Sequence, residues 1–198
     1  MKITISSLSG AGTTTACELI SQKLKIPFIN YTMRSLAKER GVPFAQVQSE
    51  AETDKTLDYL VDKRQIELYE TSESFVTGSR LSCWLADADL YVWLSAPLET
   101  RARRNIGKDN QTFEESFAFV KQRDEKNKER YFEKYGIDIN NHKHIDIEVN
   151  TKNLDAEQVA SVIAAAASAV KESRGLRENP FRKQVLRTIT EKLSSGKA

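Results

Sequence analysis

The stretch SSLSGAGTTTACELI, residues 6–20, decides the fold. It follows a β-rich run, KITIS (2–6), and passes into TTTACELISQKL (13–24). There Leu19, Ile20 and Leu24 share one helical face, with Cys17 close by. Strand, glycine-rich loop and helix, in that order, is the setting of a phosphate-binding loop, G-x-x-x-x-G-K-[ST]. Two positions depart from that pattern: Ser7 stands at the first glycine and Thr13 at the lysine. Gly10 and Gly12 let the backbone approach an anion and take conformations closed to other residues. The N–H groups at a helix start attract negative charge without help from a lysine. Ser9, Gly10, Ala11, Gly12, Thr13, Thr14 and Thr15 are therefore the expected nucleotide cradle, with the Thr14 hydroxyl as the expected Mg²⁺ ligand. The charge a lysine normally supplies has to come from arginines elsewhere.

Outward from this loop, PFIN (27–30), SFVTG (74–78), LYVWLS (90–95) and HIDIEVN (144–150) read as further strands. Helical stretches lie at about 32–40, 54–72, 97–107, 112–134 and 154–172. Strands alternating with helices imply parallel pairing through right-handed crossovers. LYVWLS is almost wholly apolar, as a strand covered on both faces must be. The prediction is one three-layer α/β domain over 1–174. Two polar arms, about 32–72 and 101–136, are too charged to be core. After Asn179-Pro180 a basic C-terminal extension (175–198) carries an apolar stripe of Val185, Leu186, Ile189 and Leu193, which predicts packing against the body.

Composition sets the outer limits. In 198 residues, 39% are hydrophobic and 29% charged, which fits a soluble globular chain and not a disordered one. Thirty basic and 28 acidic residues leave a net charge of +2, so bulk electrostatics give no argument for a nucleic-acid partner. The apolar start MKITIS is too short for a signal peptide or membrane span, and Cys17 and Cys83 lack metal or redox spacing. These features predict a cytoplasmic protein with free thiols and no membrane contact.

The loop and several later blocks resemble archaeal-type cytidylate kinases, within the nucleoside monophosphate kinase family. ITISSLSGAGTTT is similar to that branch's G-x-x-G-S-G-T-T-T loop, in which threonine already replaces the lysine. RSLAKERG (34–41), DKTLDYLVDKRQ (54–65), SRLSCWLADADLYVWLSAPLETRARR (79–104), RDEKNKERYFEKYGIDI (123–139) and VNTKNLDAEQV (149–159) continue the likeness in order, to about residue 172. The resemblance implies a P-loop fold with a five-stranded parallel sheet, a monophosphate-binding arm and a closing lid. It also implies transfer of the γ-phosphoryl of ATP to CMP or dCMP with Mg²⁺, in a monomer whose partners are small nucleotides.

Residue by residue, the resemblance implies that Arg34 and Arg80 hold the acceptor's phosphate. Arg101 is expected to stack on adenine, and Arg104 to face the phosphates. Arg123 and Arg130, seven apart on one helical face, are expected to reach the phosphates when the lid shuts. Asn127 and Asp62 are candidate acceptor contacts, with Asp58 on the same face as Asp62. Surface salt bridges and a solvated charged helix are the rival readings for all of these. Trp84 reads as core, and His142 and His144 as part of a loop without metal partners.

The departures cluster on the acceptor side. Ser79 replaces a glycine before Arg80, Cys83 replaces another beside Trp84, and FINYTMR (28–34) stands where the family has a small-residue turn, S-A-G-D-I-F-R or similar. Ile29, Asn30 and Tyr31 are expected to crowd the acceptor pocket, and a positive φ at Ser7 would be strained. A kinase for a different small acceptor and an ATP-binding regulatory module therefore stay open beside cytidylate kinase.

Overall fold

The computed structural model describes residues 1–106, 112–173 and 175–195, so 107–111 of the second arm, residue 174 at the expected domain end, and 196–198 lie outside it. The chain order is β1 (Lys2–Ser7), α1 (Thr13–Leu24), β2 (Phe28–Ile29), α2 (Met33–Arg40), α3 (Phe44–Thr53), α4 (Thr56–Thr71), β3 (Phe75–Gly78), α5 (Ser82–Leu85), β4 (Leu90–Ser95), α6 (Leu98–Ile106), α7 (Phe113–Tyr135), β5 (Ile147–Asn150), α8 (Ala156–Ser173) and α9 (Arg182–Ser195). The five strands form one sheet in the order β2-β3-β1-β4-β5. Every pairing is parallel.

Sheet alternation explains the strand sequences. In β4, Leu90, Val92 and Leu94 join one core with Ile3, Ile5, Val76 and the inner faces of α1 and α8. Tyr91 and Trp93 point the other way, into a second core built around Trp84, Phe75 and α9. Thr4 and Ser6 of β1 also face that second side, and both are fully buried. They are small because α5 lies directly over them: the Cys83 amide donates to Ser6 Oγ at 3.0 Å. Burial pushes the Cys83 thiol up to about 11, and also raises that of Cys17. Both stay uncharged and free.

The first arm, α2 to α4, has its own small core of Leu36, Ala37, Val47, Leu57 and Val61. Helix α3 lies within the arm expected to be helical but between the two stretches placed there, and Pro43 at its start fits the first turn, where an N–H has no helical partner. Capping boxes start α2 (Thr32, Ser35) and α7 (Thr112, Glu115), and left-handed glycines at 41 and 136 end both.

The tail is more than an extension. Val185 and Ile189 are 0% and 1% exposed and belong to the Trp84 core. Asn179, itself buried, donates to the carbonyls of Cys83 and Ala86 at 2.8 and 2.9 Å, and its amide donates to Asp87 at 2.7 Å. Arg182 pairs with both Asp87 and Glu70. Helix α9 therefore packs into the body, adding Val185 and Ile189 to the Trp84 core with Leu186 and Leu193 at its edge. His144 is likewise structural: it packs among Trp84, Tyr91 and Phe181, and burial lowers its pKa. Among the described residues no helix is long and apolar enough to cross a membrane.

Ile189→Ala should lower unfolding free energy by about 2–5 kcal/mol in a urea titration. A loss below about 1 kcal/mol would mean that α9 is an appendage after all.

Candidate active site

Parallel sheets bind ligands beyond the carboxyl ends of their strands, where neighbouring strands send their crossovers in opposite directions. Here β1 and β3 are those neighbours: β1 runs through α1 to β2, while β3 leads across β1 to β4. The glycine loop leaves β1, and Arg80 leaves β3, on that same edge. Between them opens a cavity of about 700 Å³, lined by the loop from Ser7 to Ala16 and by Asn30, Thr32, Ser79, Arg80, Arg104 and Arg123.

Gly10 and Gly12 have φ of 84° and 98°, which only glycine adopts without strain. A Cβ at Gly10 would also lie 2.7 Å from the Arg101 carbonyl, so α6 seats directly on the loop. Gly12 begins α1 and offers no side-chain cap, and no acidic residue occupies the first turn. That helix start keeps its affinity for an anion. Ser7 is the last residue of β1 and, among the described residues, only Lys25 is a non-glycine with positive φ, so the feared strain does not arise. The two departures from the loop pattern meet each other instead: Ser7 Oγ and Thr13 Oγ1 are hydrogen-bonded at 2.5 Å. Ser7 gives its single proton to the Leu8 carbonyl at 3.0 Å, so Thr13 is the donor of the pair.

Gly78 has a separate reason to be glycine. A Cβ there would lie 2.4 Å from Cys17 Sγ and 2.6 Å from Thr13 Cγ2, so it sets how closely α1 approaches β3. Ser79, in place of the family glycine, accepts from the Leu81 amide at 3.1 Å and bonds Ser82 Oγ at 2.7 Å, starting α5.

The arginines divide into two groups. Arg80, Arg104 and Arg123 line the cavity. Arg80 Nη2 donates to Ser9 Oγ at 2.9 Å, while its Nε is buried without a partner. Burial, then the charge of Arg123, pulls the Arg80 guanidinium below its usual pKa. Among the described residues neither arginine has a carboxylate partner, so both positive charges remain for a ligand. Arg104 donates to Thr151 Oγ1 at 2.8 Å and to its carbonyl at 2.6 Å. With Asn105, Leu154 and Val159 it walls the end of the cavity next to α8.

The other expected residues lie elsewhere in this conformation. Arg101, expected to stack on adenine, is 6% exposed and does not line the cavity. Its guanidinium is engaged by Asp124, the Ser9 carbonyl and the Ala96 carbonyl. Arg34 is exposed, lying 4.0 Å over the Phe44 ring. Arg130 is 3.6 Å from Asp58 and bonds Tyr131 Oη. Asp62 is held by Lys134 Nζ at 2.7 Å and Tyr135 Oη at 2.6 Å, which joins the first arm to the end of α7. The Asn127 amide donates to the Arg123 carbonyl at 2.7 Å.

The crowding expected from FINYTMR is largely relieved by alternation. Ile29 packs on the Trp84 core and Tyr31 on the arm core, while Asn30 and Thr32 face the cavity. The Tyr31 hydroxyl donates to Glu39 at 2.6 Å, and burial with this bond raises it to about 12. Asp124, Asn105 and Thr151 are site residues that sequence reasoning missed. Thr151 directly follows β5 and was findable by the strand-end rule, whereas Asp124 is one acid among many in a charged helix.

A parallel five-stranded sheet with this loop, a helical arm and a basic helical pair over one edge defines a P-loop kinase fold. Solved structures agree on the fold. An uncharacterized protein from Eubacterium ventriosum superposes with a TM-score of 0.61 at 15% identity, covering 85% of this chain and 98% of that one. The shikimate kinase from Bacteroides thetaiotaomicron gives 0.57 at 16%, covering 86% and 98%. Sequence narrows the class: residues 2–153 match the cytidylate kinase-like family, and the chain belongs to it. The cytidylate kinase of Methanobrevibacter smithii is 36% identical over 172 residues, covering 86% of this chain and 100% of that protein. That of Thermococcus sibiricus is 38% identical over 167 residues, covering 83% and 86%.

Gly78→Ala should damage the loop, because its Cβ would push against Cys17 and Thr13 and displace the start of α1. ATP affinity, measured by calorimetry, should fall at least about tenfold while the far-ultraviolet circular dichroism is retained. Unchanged affinity would show that α1 can shift without moving the loop.

Proposed function

We propose that this protein transfers the γ-phosphoryl of ATP to CMP or dCMP, giving ADP and the cytidine diphosphate. The observation that carries the reading is the meeting of two unneutralised guanidinium groups, Arg80 and Arg123, at a glycine loop with an uncapped helix start. A concentration of positive charge of that kind suits phosphate groups from two nucleotides.

The acceptor phosphate is already an anionic nucleophile, so the site needs no general base. The chemistry is alignment and charge neutralisation. Loop N–H groups of Gly10 and of Gly12 to Thr15 hold the donor phosphates, those of Ser9 and Ala11 being taken by Asp124 and the Leu8 carbonyl. Arg104, Asn105, Leu154 and Val159 supply an apolar wall with a polar rim for the donor's base, which is the place assigned above to Arg101. Arg80 and Arg123 bridge donor and acceptor phosphates, doing the work of the loop lysine. Asn30 and Thr32 border the acceptor side.

Thr14 fits a magnesium ligand: it lines the cavity, is exposed and sits in the first turn of α1. Magnesium usually keeps several waters and takes its other ligands from phosphates, so one protein hydroxyl is a sufficient anchor. Among the described residues no cluster of three acidic, histidine or cysteine side chains offers an alternative. When bound, the ion neutralises charge on the phosphate oxygens.

Arg34, Arg130, Asn127 and Asp62 lie outside the cavity, on the two arms. Closure of those arms over bound nucleotides would bring Arg34 and Arg130 toward the acceptor phosphate and exclude water, which competes as acceptor.

ADP release with Mg·ATP should be strong and selective for CMP or dCMP over UMP, AMP and GMP. Arg80→Ala should lower kcat by about 10²–10³-fold with its melting temperature held. ATP binding with no turnover of either cytidine nucleotide would overturn the reading in favour of another acceptor or a regulatory module.

A further inference from the structure

We propose that Asp124 is a positioning residue for phosphoryl transfer, acting through Ser9 to aim Arg80 and fixing α7 so that Arg123 faces the cavity. The inference rests on reading the cavity as a phosphoryl-transfer site.

Asp124 and Arg101 form an ion pair whose side chains are only 11% and 7% exposed. A pair this buried is costly to desolvate unless its remaining hydrogen-bonding capacity is filled, and apolar residues of similar volume would pack as well. Part of that capacity is met by one residue of the glycine loop. Asp124 Oδ1 accepts the Ser9 amide at 3.0 Å, and Arg101 Nη1 donates to the Ser9 carbonyl at 3.0 Å. Arg101 Nε is anchored on the Ala96 carbonyl at 3.0 Å, so the pair cannot drift with a flexible side chain. The next residue, Gly10, lies against the Arg101 backbone too closely for any Cβ.

Ser9 is thus held on both sides of its backbone, and its hydroxyl accepts Arg80 Nη2 at 2.9 Å. Among the described residues that contact tethers a guanidinium whose Nε is buried without a partner. Arg80 leans on Ser9, and Ser9 leans on the Asp124–Arg101 pair. Asp124 also follows Arg123 directly on α7, so pinning the carboxylate fixes the helical rotation that presents Arg123 to the cavity. A carboxylate free beside the two cations would cancel their field. This one is paired with Arg101, so it offsets the charge of Arg80 only in part and leaves a positive field for phosphate.

The test uses the full chain and the variants Ser9→Ala, Asp124→Asn and the double variant. Each is followed by kcat and KM for ATP and CMP, and by ¹⁵N–¹H spectra of the arginine Nε–H groups, with Arg80→Lys identifying the Arg80 signal. Each single variant should lower kcat at least about tenfold with smaller effects on KM, and the double variant should be no more than about threefold worse than Asp124→Asn. The Arg80 Nε–H signal, protected in the parent protein, should broaden or vanish in both single variants. Losses that multiply independently, or an Arg80 signal and kcat unchanged in Ser9→Ala, would overturn the proposal. If Asp124→Asn leaves Arg101 as an uncompensated buried charge and fails to fold, Ser9→Ala decides alone by the same two readouts. If the parent protein phosphorylates neither CMP nor dCMP, the functional reading fails, and the spectra still decide whether Asp124 and Ser9 hold Arg80.

Discussion

Like charges held near one another repel, and burial adds to the cost of keeping each of them charged. Arg80 bears both penalties and Arg123, itself exposed, faces the same cavity, with no carboxylate partner for either among the described residues. A fold keeps such an arrangement only where rigid neighbours hold it against relaxation. The surroundings of this site fit that requirement. Arg80 leaves the end of a fully buried strand and rests on a loop serine whose backbone is fastened to α6 and α7. Arg123 sits on a helix capped at both ends. The anion that relieves the repulsion is the phosphate that the site is built to take.

The same logic explains how the loop works without its lysine. Thr13 does not imitate a cation; its hydroxyl donates to Ser7, which occupies the other changed position of the pattern. The two departures therefore form one local contact, and the charge has moved to side chains reaching in from β3 and α7. Gly78 keeps α1 close enough to β3 for this arrangement to fit.

Much of this was legible in the sequence because periodicity and loop chemistry act locally. The strand beginning at Lys2, the glycine loop and the apolar LYVWLS each declare themselves, and alternation with helices implies a parallel sheet. Helix α3, which starts after Pro43, falls between the helical stretches read at 32–40 and 54–72 of the first arm. The tail's stripe was visible at Val185 and Ile189, but not that it joins a core around Trp84, since that depends on contacts between segments far apart in the chain. At the site, the spacing of Arg101 and Arg104 placed both on one helical face. It could not say that Asp124, more than twenty residues on, would draw Arg101 inward and leave Arg104 at the cavity wall. Tyr31 looked obstructive because bulk is readable in sequence, whereas the direction of a side chain at the end of a two-residue strand is not.

The central claim is that Arg80 and Arg123 together supply the positive charge for phosphates of both nucleotides. Its most direct test is the affinity of a bisubstrate analogue, adenosine and cytidine joined through a polyphosphate bridge, measured by calorimetry. The parent protein should bind it far more tightly than ATP or CMP alone, and Arg80→Ala and Arg123→Ala should each weaken it at least about tenfold. An analogue bound no better than ATP, or held equally well by either arginine variant, would contradict the account.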